Sequence, residues 1–418
     1  MSAHKLLLLL LVLITALGLR ALAAVVVTTQ VENRDDTFLI AGDAAGYWEL
    51  GQHIADRQPY ELHGPADDPL ARASIPRQVS RMPGFPALLG LVIHFFGSDS
   101  LLLTRLALAV VGTIACYLVY LLGSRLHSPS IGLVAAAACA LSPTLVGFSV
   151  LVLSETLFAV FLLACLLGID SLRDSGTELE HRPRWTTAAW TGLAGCAAVY
   201  VRPGWLAALP ILAILWIAMS ARRRRATVEM AVLLLVCAIG LLPWTWRNMQ
   251  VTGHPVVTTL WVGPSLYDGL HQGATGESDM SFIIDDGLFA DPKQSEFAID
   301  QHYRAAAWSF AITHPGTTLQ LAAIKCWRYL KPWPSASQFQ SPWQMAAVAV
   351  PTVLLYVLAF RGAVSHRHGP WTWILAAFPL LYFAALHTIF VGSLRYRVPA
   401  EYSLWILAAI GCRRRNSA

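Results

Sequence analysis

The chain has 418 residues, 56% of them hydrophobic and only 13% charged, with a formal net charge of +5. A soluble domain is nearer half apolar and a quarter charged. Together with a mean hydropathy of +0.54, this composition argues against a soluble enzyme, a disordered protein and an ordinary nucleic-acid binder.

A helix needs about 20 mostly apolar residues to cross a bilayer. In chain order the sequence predicts spans at 6–28, 101–123, 131–150, 153–170, 186–201, 203–219, 227–246, 343–361, 371–391 and 396–412, ten in all. The fold class read from this pattern is an all-α polytopic membrane protein. The first span follows Lys5. A signal peptide competes for the same residues, with Ala21-Leu22-Ala23 resembling a cleavage site. The apolar character continues to Val27, which favours an uncleaved helix. Arg20 then lies inside that helix, where a charge costs roughly 2.5–3.5 kcal/mol at the centre. It must snorkel outward or face protein.

Positive charge sorts the loops. With the N-terminus inside, one face receives Arg125; Arg173, Arg182 and Arg184; Arg222 to Arg225; Arg361 and Arg367; and Arg413 to Arg415. Ten spans return the C-terminus to that side. The other face receives two long segments, about 29–100 and 247–342, rich in acids such as Asp35, Asp36, Asp43, Asp67, Asp68 and Asp268. The apolar stretch 84–97 would reverse every later cluster if it crossed, so it reads as interfacial or re-entrant. Residues 295–313 and 316–331 read as helices, broken at His314-Pro315-Gly316. The organisation expected is a transmembrane module at 1–246, an outer segment at 247–342 and C-terminal helices at 343–418. The seven cysteines form no CxxC and no even framework, and they read as packing residues. There is no GxxxxGK[ST], HExxH or GxSxG, and no internal repeat.

The informative residues collect on the expected outer face: Gly42-Asp43 to Tyr47-Trp48, Arg81 to Pro86, Ser154-Glu155, Arg202-Pro203, Pro243 to Asn248, His387, and Arg395 to Pro399. Ionisable groups at membrane depth are expensive and tend to face a cavity or a partner. Arginines suit a phosphate, which they grip through parallel hydrogen bonds, and a carboxylate beside them suits a general base. Each feature also has a plainer reading. A single outer arginine is an interface anchor, Glu155 favours a helix N-terminus, Asp35 and Asp36 are solvated loop acids, and His387 is a core histidine. Trp327, Trp333 and Trp343 fit an aromatic belt.

Taken in order, these residues resemble the GT-C superfamily of membrane glycosyltransferases, in the bacterial branch similar to protein O-mannosyltransferases and lipid A aminoarabinose transferases. The matches are Asp43 to Tyr47 (D-x-x-x-Tyr), Arg81 to Pro86, Glu155, Pro-Trp-x-x-Arg-Asn at 243–248, His314-Pro315, Lys325 to Trp333, and Arg-Tyr-Arg-x-Pro at 395–399. Many relatives carry Asp-Glu at the first site, where Ala44 follows Asp43 here. The resemblance implies a GT-C-like bundle that transfers a sugar from a polyprenyl-phosphate donor to a lipid, glycan or protein hydroxyl at the outer face of a bacterial inner membrane, with inversion. It implies Asp43 as base and Glu155 as second acid, and Arg81, Arg247, Arg395 and Arg397 on the donor phosphate. Tyr47, Tyr396 and His387 would contact substrate. Burial is expected to raise the pKa of Asp43. The partners implied are the donor, the acceptor and membrane lipids, with no nucleic acid. No cofactor is called for and no ligand spacing compels a metal, although Asp and His side chains are available to a divalent one. The rival class is a lipid or solute transporter, which would also need outer charges, but transporters often show inverted repeats.

Overall fold

The structure is a computed structural model. It describes residues 2–34, 36–40, 42–62, 75–97, 101–173, 183–335, 339–365 and 369–412. Asp35, Asp67, Asp68, Arg182, Arg367 and Arg413 to Arg415 lie outside the described residues.

The chain is an all-α polytopic membrane protein. Its helices are α1 (Ala3–Glu32), α2 (Gly42–Ala55), α3 (Gly84–Phe96), α4 (Leu101–Leu126), α5 (Pro129–Leu141), α6 (Pro143–Phe148), α7 (Glu155–Ser171), α8 (Trp185–Val201), α9 (Ala208–Met219) and α10 (Arg223–Thr252). There follow α11 (Val262–Gly269), α12 (Phe282–Asp285), α13 (Glu296–Thr313), α14 (Pro315–Leu330), α15 (Pro342–Ala363), α16 (Pro370–Leu386) and α17 (Leu394–Gly411). Among the described residues the only β pairing is an isolated bridge between Leu62 and Arg77.

All ten expected spans fall on helices, but four, α1, α4, α10 and α15, are long and apolar enough to cross a membrane by themselves. The others are shorter, except α17, whose 18 residues include the charged Arg395, Arg397 and Glu401. The span expected over 131–150 divides at Ser142, because Pro143 has no N–H to continue the ladder and the Ser142 side chain caps Leu145 N–H instead. The Pro-Trp-x-x-Arg-Asn segment, expected to close a span, lies within α10. Pro243 is tolerated inside that helix, which continues to a left-handed cap at Gly253.

The break after α5 explains Arg20. It leaves the last carbonyls of α5 without helical partners. Arg20, fully buried on the mostly exposed α1, donates to Cys139 O at 3.2 Å, to Ala140 O at 3.5 Å and to its own-helix Ala16 O at 3.2 Å. It faces protein and does not snorkel. Gly112 makes the room, since a Cβ there would lie 2.7 Å from Arg20 Nε.

The centre of the bundle is α17. Nearly all of its residues are buried, and it packs against α15, α16, α5 and α7. Its polar residues therefore sit inside protein and never meet lipid. The N-termini of α7 and α17 and the C-terminal end of α8 meet at one end of the bundle, and α2 and the segment 77–83 close over them. The functional candidates assemble there.

Candidate active site

Asp43 stands in the first turn of α2. The D-x-x-x-Tyr spacing places Tyr47 one turn later on the same face. The Tyr47 ring is buried, packs edge-on against Phe85 at 5.1 Å, and lies 6.0 Å beneath the Arg81 guanidinium. Arg81 Nη2 donates to Asp43 Oδ1 at 2.6 Å.

Arg81 sits on a loop that is fastened at several points. The Val79 carbonyl accepts from Leu260 N–H at 2.9 Å. The Gln78 and Val79 N–H groups donate to the Glu296 carboxylate at 2.9 and 3.0 Å. The Arg81 carbonyl accepts from the Tyr60 hydroxyl at 3.3 Å. Gly84 then abuts the Tyr200 carbonyl so closely that a Cβ would lie 2.7 Å from it, which sets this loop against the end of α8 and so beside Arg202.

The other wall comes from α7, α8 and α17. Glu155, fully buried, accepts through Oε1 from Arg202 Nη2 at 2.7 Å and from Arg395 Nε. Its other oxygen, Oε2, is buried with no hydrogen-bond partner. Arg395 Nη1 reaches across to Asp43 Oδ2 at 2.7 Å. Five side chains thus form one alternating chain, Arg81–Asp43–Arg395–Glu155–Arg202, with Arg395 joining the two carboxylates. The Tyr396 ring lies 5.4 Å from the Arg202 guanidinium and stacks on His387 at 4.2 Å. The His387 Nδ1 is bonded to Val391 O at 2.8 Å.

The electrostatics overturn one expectation. Burial does push the Asp43 carboxyl upward, but the adjacent Arg81 and Arg395 charges outweigh it and hold the group well below the usual carboxylate range. Asp43 is an ionised, tightly paired carboxylate in this state.

Two expected phosphate ligands stand elsewhere. Arg247, on α10, donates to Gln78 O at 2.7 Å and Tyr60 O at 2.9 Å, so it fastens the loop that carries Arg81. Arg397 lies two residues beyond Arg395, about 200° around the helix, and points the other way. It pairs with Glu401 at 2.7 Å and caps the carbonyls of Tyr329, Leu330 and Lys331 at the end of α14. Both guanidinium groups are committed to structure.

Three further residues take part. Arg202 was visible as an outer Arg-Pro turn, but its pairing with Glu155 was not. Trp261, whose ring lies 5.2 Å from the Arg81 guanidinium, and Glu296 had no sequence signal, since both act from the segment following α10 through contacts distant in the chain. Among the described residues, no group of three or more His, Cys, Asp or Glu comes together to hold a metal.

No protein-family model matches this chain, and no curated protein matches it in sequence. Solved structures do match in fold. The archaeal oligosaccharyltransferase AglB from Archaeoglobus fulgidus, in complex with an inhibitory peptide and a dolichol-phosphate, superposes with a TM-score of 0.58 at 13% identity, covering 98% of this chain and 50% of that one. Its apo form gives 0.55 at 14% identity, covering 95% and 50%. ArnT from Cupriavidus metallidurans bound to undecaprenyl phosphate gives 0.46 at 13% identity, covering 98% and 77%. The chain spans about half the length of the oligosaccharyltransferase. Fold and architecture together define the class: a polytopic helical membrane protein. More narrowly, its helical bundle shares the fold of the archaeal oligosaccharyltransferase.

Proposed function

We propose that the protein is a glycosyltransferase that moves a sugar from a polyprenyl-phosphate donor to an acceptor hydroxyl, with inversion, at the outer face of a bacterial inner membrane. The single observation that carries the reading is the half-buried chain of five paired acidic and basic residues around the buried Glu155. Its three guanidinium groups and two carboxylates leave one net positive charge. A phosphodiester-linked sugar donor carries one negative charge and compensates it. The oligosaccharyltransferase of like fold, whose complex holds a dolichol-phosphate, supports a lipid-phosphate donor.

In this reading the donor phosphate takes hydrogen bonds from Arg81 and Arg395, which form forks suited to two phosphate oxygens. That draws positive charge away from Asp43 and makes its carboxylate a stronger base. Asp43 accepts the acceptor hydroxyl proton as the new C1–O bond forms. The old C1–O bond breaks in line, and the polyprenyl phosphate leaves with the electron pair. Arg81 and Arg395 stabilise the charge that grows on it. Glu155, itself held by Arg202, orients Arg395. Tyr47, Tyr396 and His387 supply the walls against which the sugar and acceptor pack. Arg247 and Arg397 position the loop and helix that carry the reacting groups.

The test is transfer from radiolabelled polyprenyl-phosphate sugars by the purified protein in lipid, wild type against Asp43→Asn. Loss of transfer with folding and donor binding intact supports Asp43 as base. Survival of transfer moves that role to Glu155. Absence of transfer from every donor, with no binding of lipid phosphate, returns the chain to the transporter class.

A further inference from the structure

The hairpin of α13 and α14 is inverted relative to a pair of helices in water. Its inward faces carry the buried charges Glu296, Asp300 and Lys325, while Arg304 and Arg328 lie half-buried at its edges, paired with Asp300 and Glu277. Its outward face carries none. From Gln301 to Trp327 no exposed residue is Asp, Glu, Lys or Arg, whereas a soluble surface is about 25–35% charged. Outward instead stand Trp308 (52% exposed), Ile312 (75%), Leu319 (73%) and Trp327 (57%). On α13 these residues continue the row of Ala305, and on α14 the row of Ala323, at helical spacing.

An apolar face needs a cover, and the chain itself indicates which. The Trp327 ring meets Trp333 edge-on at 6.0 Å, and the chain then enters α15, one of the four helices long and apolar enough to cross the membrane. Trp343, at the entry to α15, is 70% exposed. Tryptophan favours the boundary between headgroups and acyl chains, a setting that suits Trp327, Trp333 and Trp343, and α14 carries its apolar row outward beside the first two. We propose that the α13–α14 hairpin is seated in the lipid leaflet that surrounds the start of α15, with Trp308, Ile312, Leu319 and Trp327 in contact with lipid. Of its exposed polar residues, Thr313, His314 and Thr317 at the turn suit the headgroup zone, while Ser309 and Gln320 flank the apolar row. The hairpin is then part of the membrane-bound body.

The seating bears on the candidate site through two buried cations. Lys325 Nζ, on the inward face of α14, donates to Gly269 O at 3.1 Å and Ile389 O at 2.7 Å, the second in the turn that leads to Arg395. Arg397 holds the C-terminal end of α14, just beyond Lys325. The inference itself does not depend on what the site does.

The test is site-directed spin labelling of the full chain in lipid nanodiscs, with the accessible Cys326 and Cys412 replaced. Labels at Ile312→Cys and Leu319→Cys are compared with Val357→Cys on the lipid face of α15 and with Lys293→Cys in the loop before α13. Ala305→Cys and Ala323→Cys repeat the measurement with smaller perturbation. The ratio of collisions with oxygen to collisions with a water-soluble nickel chelate is expected to match that at Val357 at all four positions. A ratio like that at Lys293 places the face in water and overturns the proposal. Low accessibility to both relaxers, with dipolar broadening between copies, shows a protein cover and overturns it as well.

Discussion

Arg395 Nη1 and Asp43 Oδ2 meet at 2.7 Å although 352 positions separate the residues in the chain. The contact closes the bundle between its second and last helices, and through Arg395 Nε it also draws in Glu155. One planar guanidinium serves both carboxylates, and a lysine cannot reproduce that fork. Arg395→Lys is therefore expected to lower kcat by about 100-fold or more, the scale for removing one preorganised donor. A transfer assay with saturating donor measures it. A change under tenfold would remove Arg395 from the proposed phosphate clamp.

The paired state of Asp43 makes a prediction about pH. Its folded pKa is depressed below the ordinary 3.8 because Arg81 and Arg395 outweigh burial. The ion pairs therefore contribute fully above about pH 3.8 and are lost only as pH falls through the lower folded value. Because kcat/KM reports the free enzyme, Asp43 should place no acid limb on it between pH 5 and 7. The donor phosphate partly neutralises the same arginines, so the acid limb of kcat should lie at higher pH. Parallel pH profiles of the two parameters check this, and coincident limbs would count against it.

Glu155 is fully buried between two arginines. Removing one partner from a buried pair costs about 3–5 kcal/mol, because the other charge is left uncompensated. Glu155→Gln should destabilise on that scale. The double variant Glu155→Gln/Arg202→Gln should cost less than the sum of the single changes, since neighbours in one network couple. Unfolding in mild detergent reads both, and strict additivity would show that Arg202 and Glu155 do not support each other.

Glu296 is expected to make stability depend on pH in the opposite sense to Asp43. Burial raises its pKa from 4.5 to about 7, against the pull of the Gln78 and Val79 N–H groups and of Arg77 and Arg247. Between those values the folded chain holds the proton more readily than the unfolded chain. The contribution is full below pH 4.5 and is lost as pH rises through about 7. The Tm of the wild type should fall from pH 5 to pH 8 by more than that of Glu296→Gln, and equal falls would refute the linkage.

The seam between α15 and α17 rests on missing side chains. A Cβ at Gly362 would fall within the van der Waals radius of the Leu407 carbonyl oxygen, and one at Gly411 would meet Leu358 in the same way. Small residues at such a seam let helix backbones approach closely. Gly362→Ala is expected to destabilise by about 1–3 kcal/mol, the usual cost of overpacking. Gly316→Ala, on α14 with nothing within 4 Å, should be neutral or mildly stabilising by helix propensity. Thermal unfolding of the two variants separates the cases.

Much of the architecture was legible in the residues alone. Apolar run length decides where helices lie, because a bilayer leaves the backbone no other partner, and the ten expected spans coincide with helices. The outer helices expected at 295–313 and 316–331 correspond to α13 and α14 because proline and a polar break punctuate them. Asp43, Arg81, Glu155 and Arg395 stood out because a charge beside an apolar run is costly unless something meets it. What met each charge was decided only by the tertiary structure. Arg395 and Arg397, two positions apart, look equivalent in sequence, yet helical rotation sends one to the carboxylates and the other to the end of α14. Arg247 had the right composition and the wrong neighbours. The sign of the Asp43 shift depended on two arginines 38 and 352 residues away. Hydropathy depends on the residue type and its near neighbours, whereas pairing and pKa depend on distances that only packing sets.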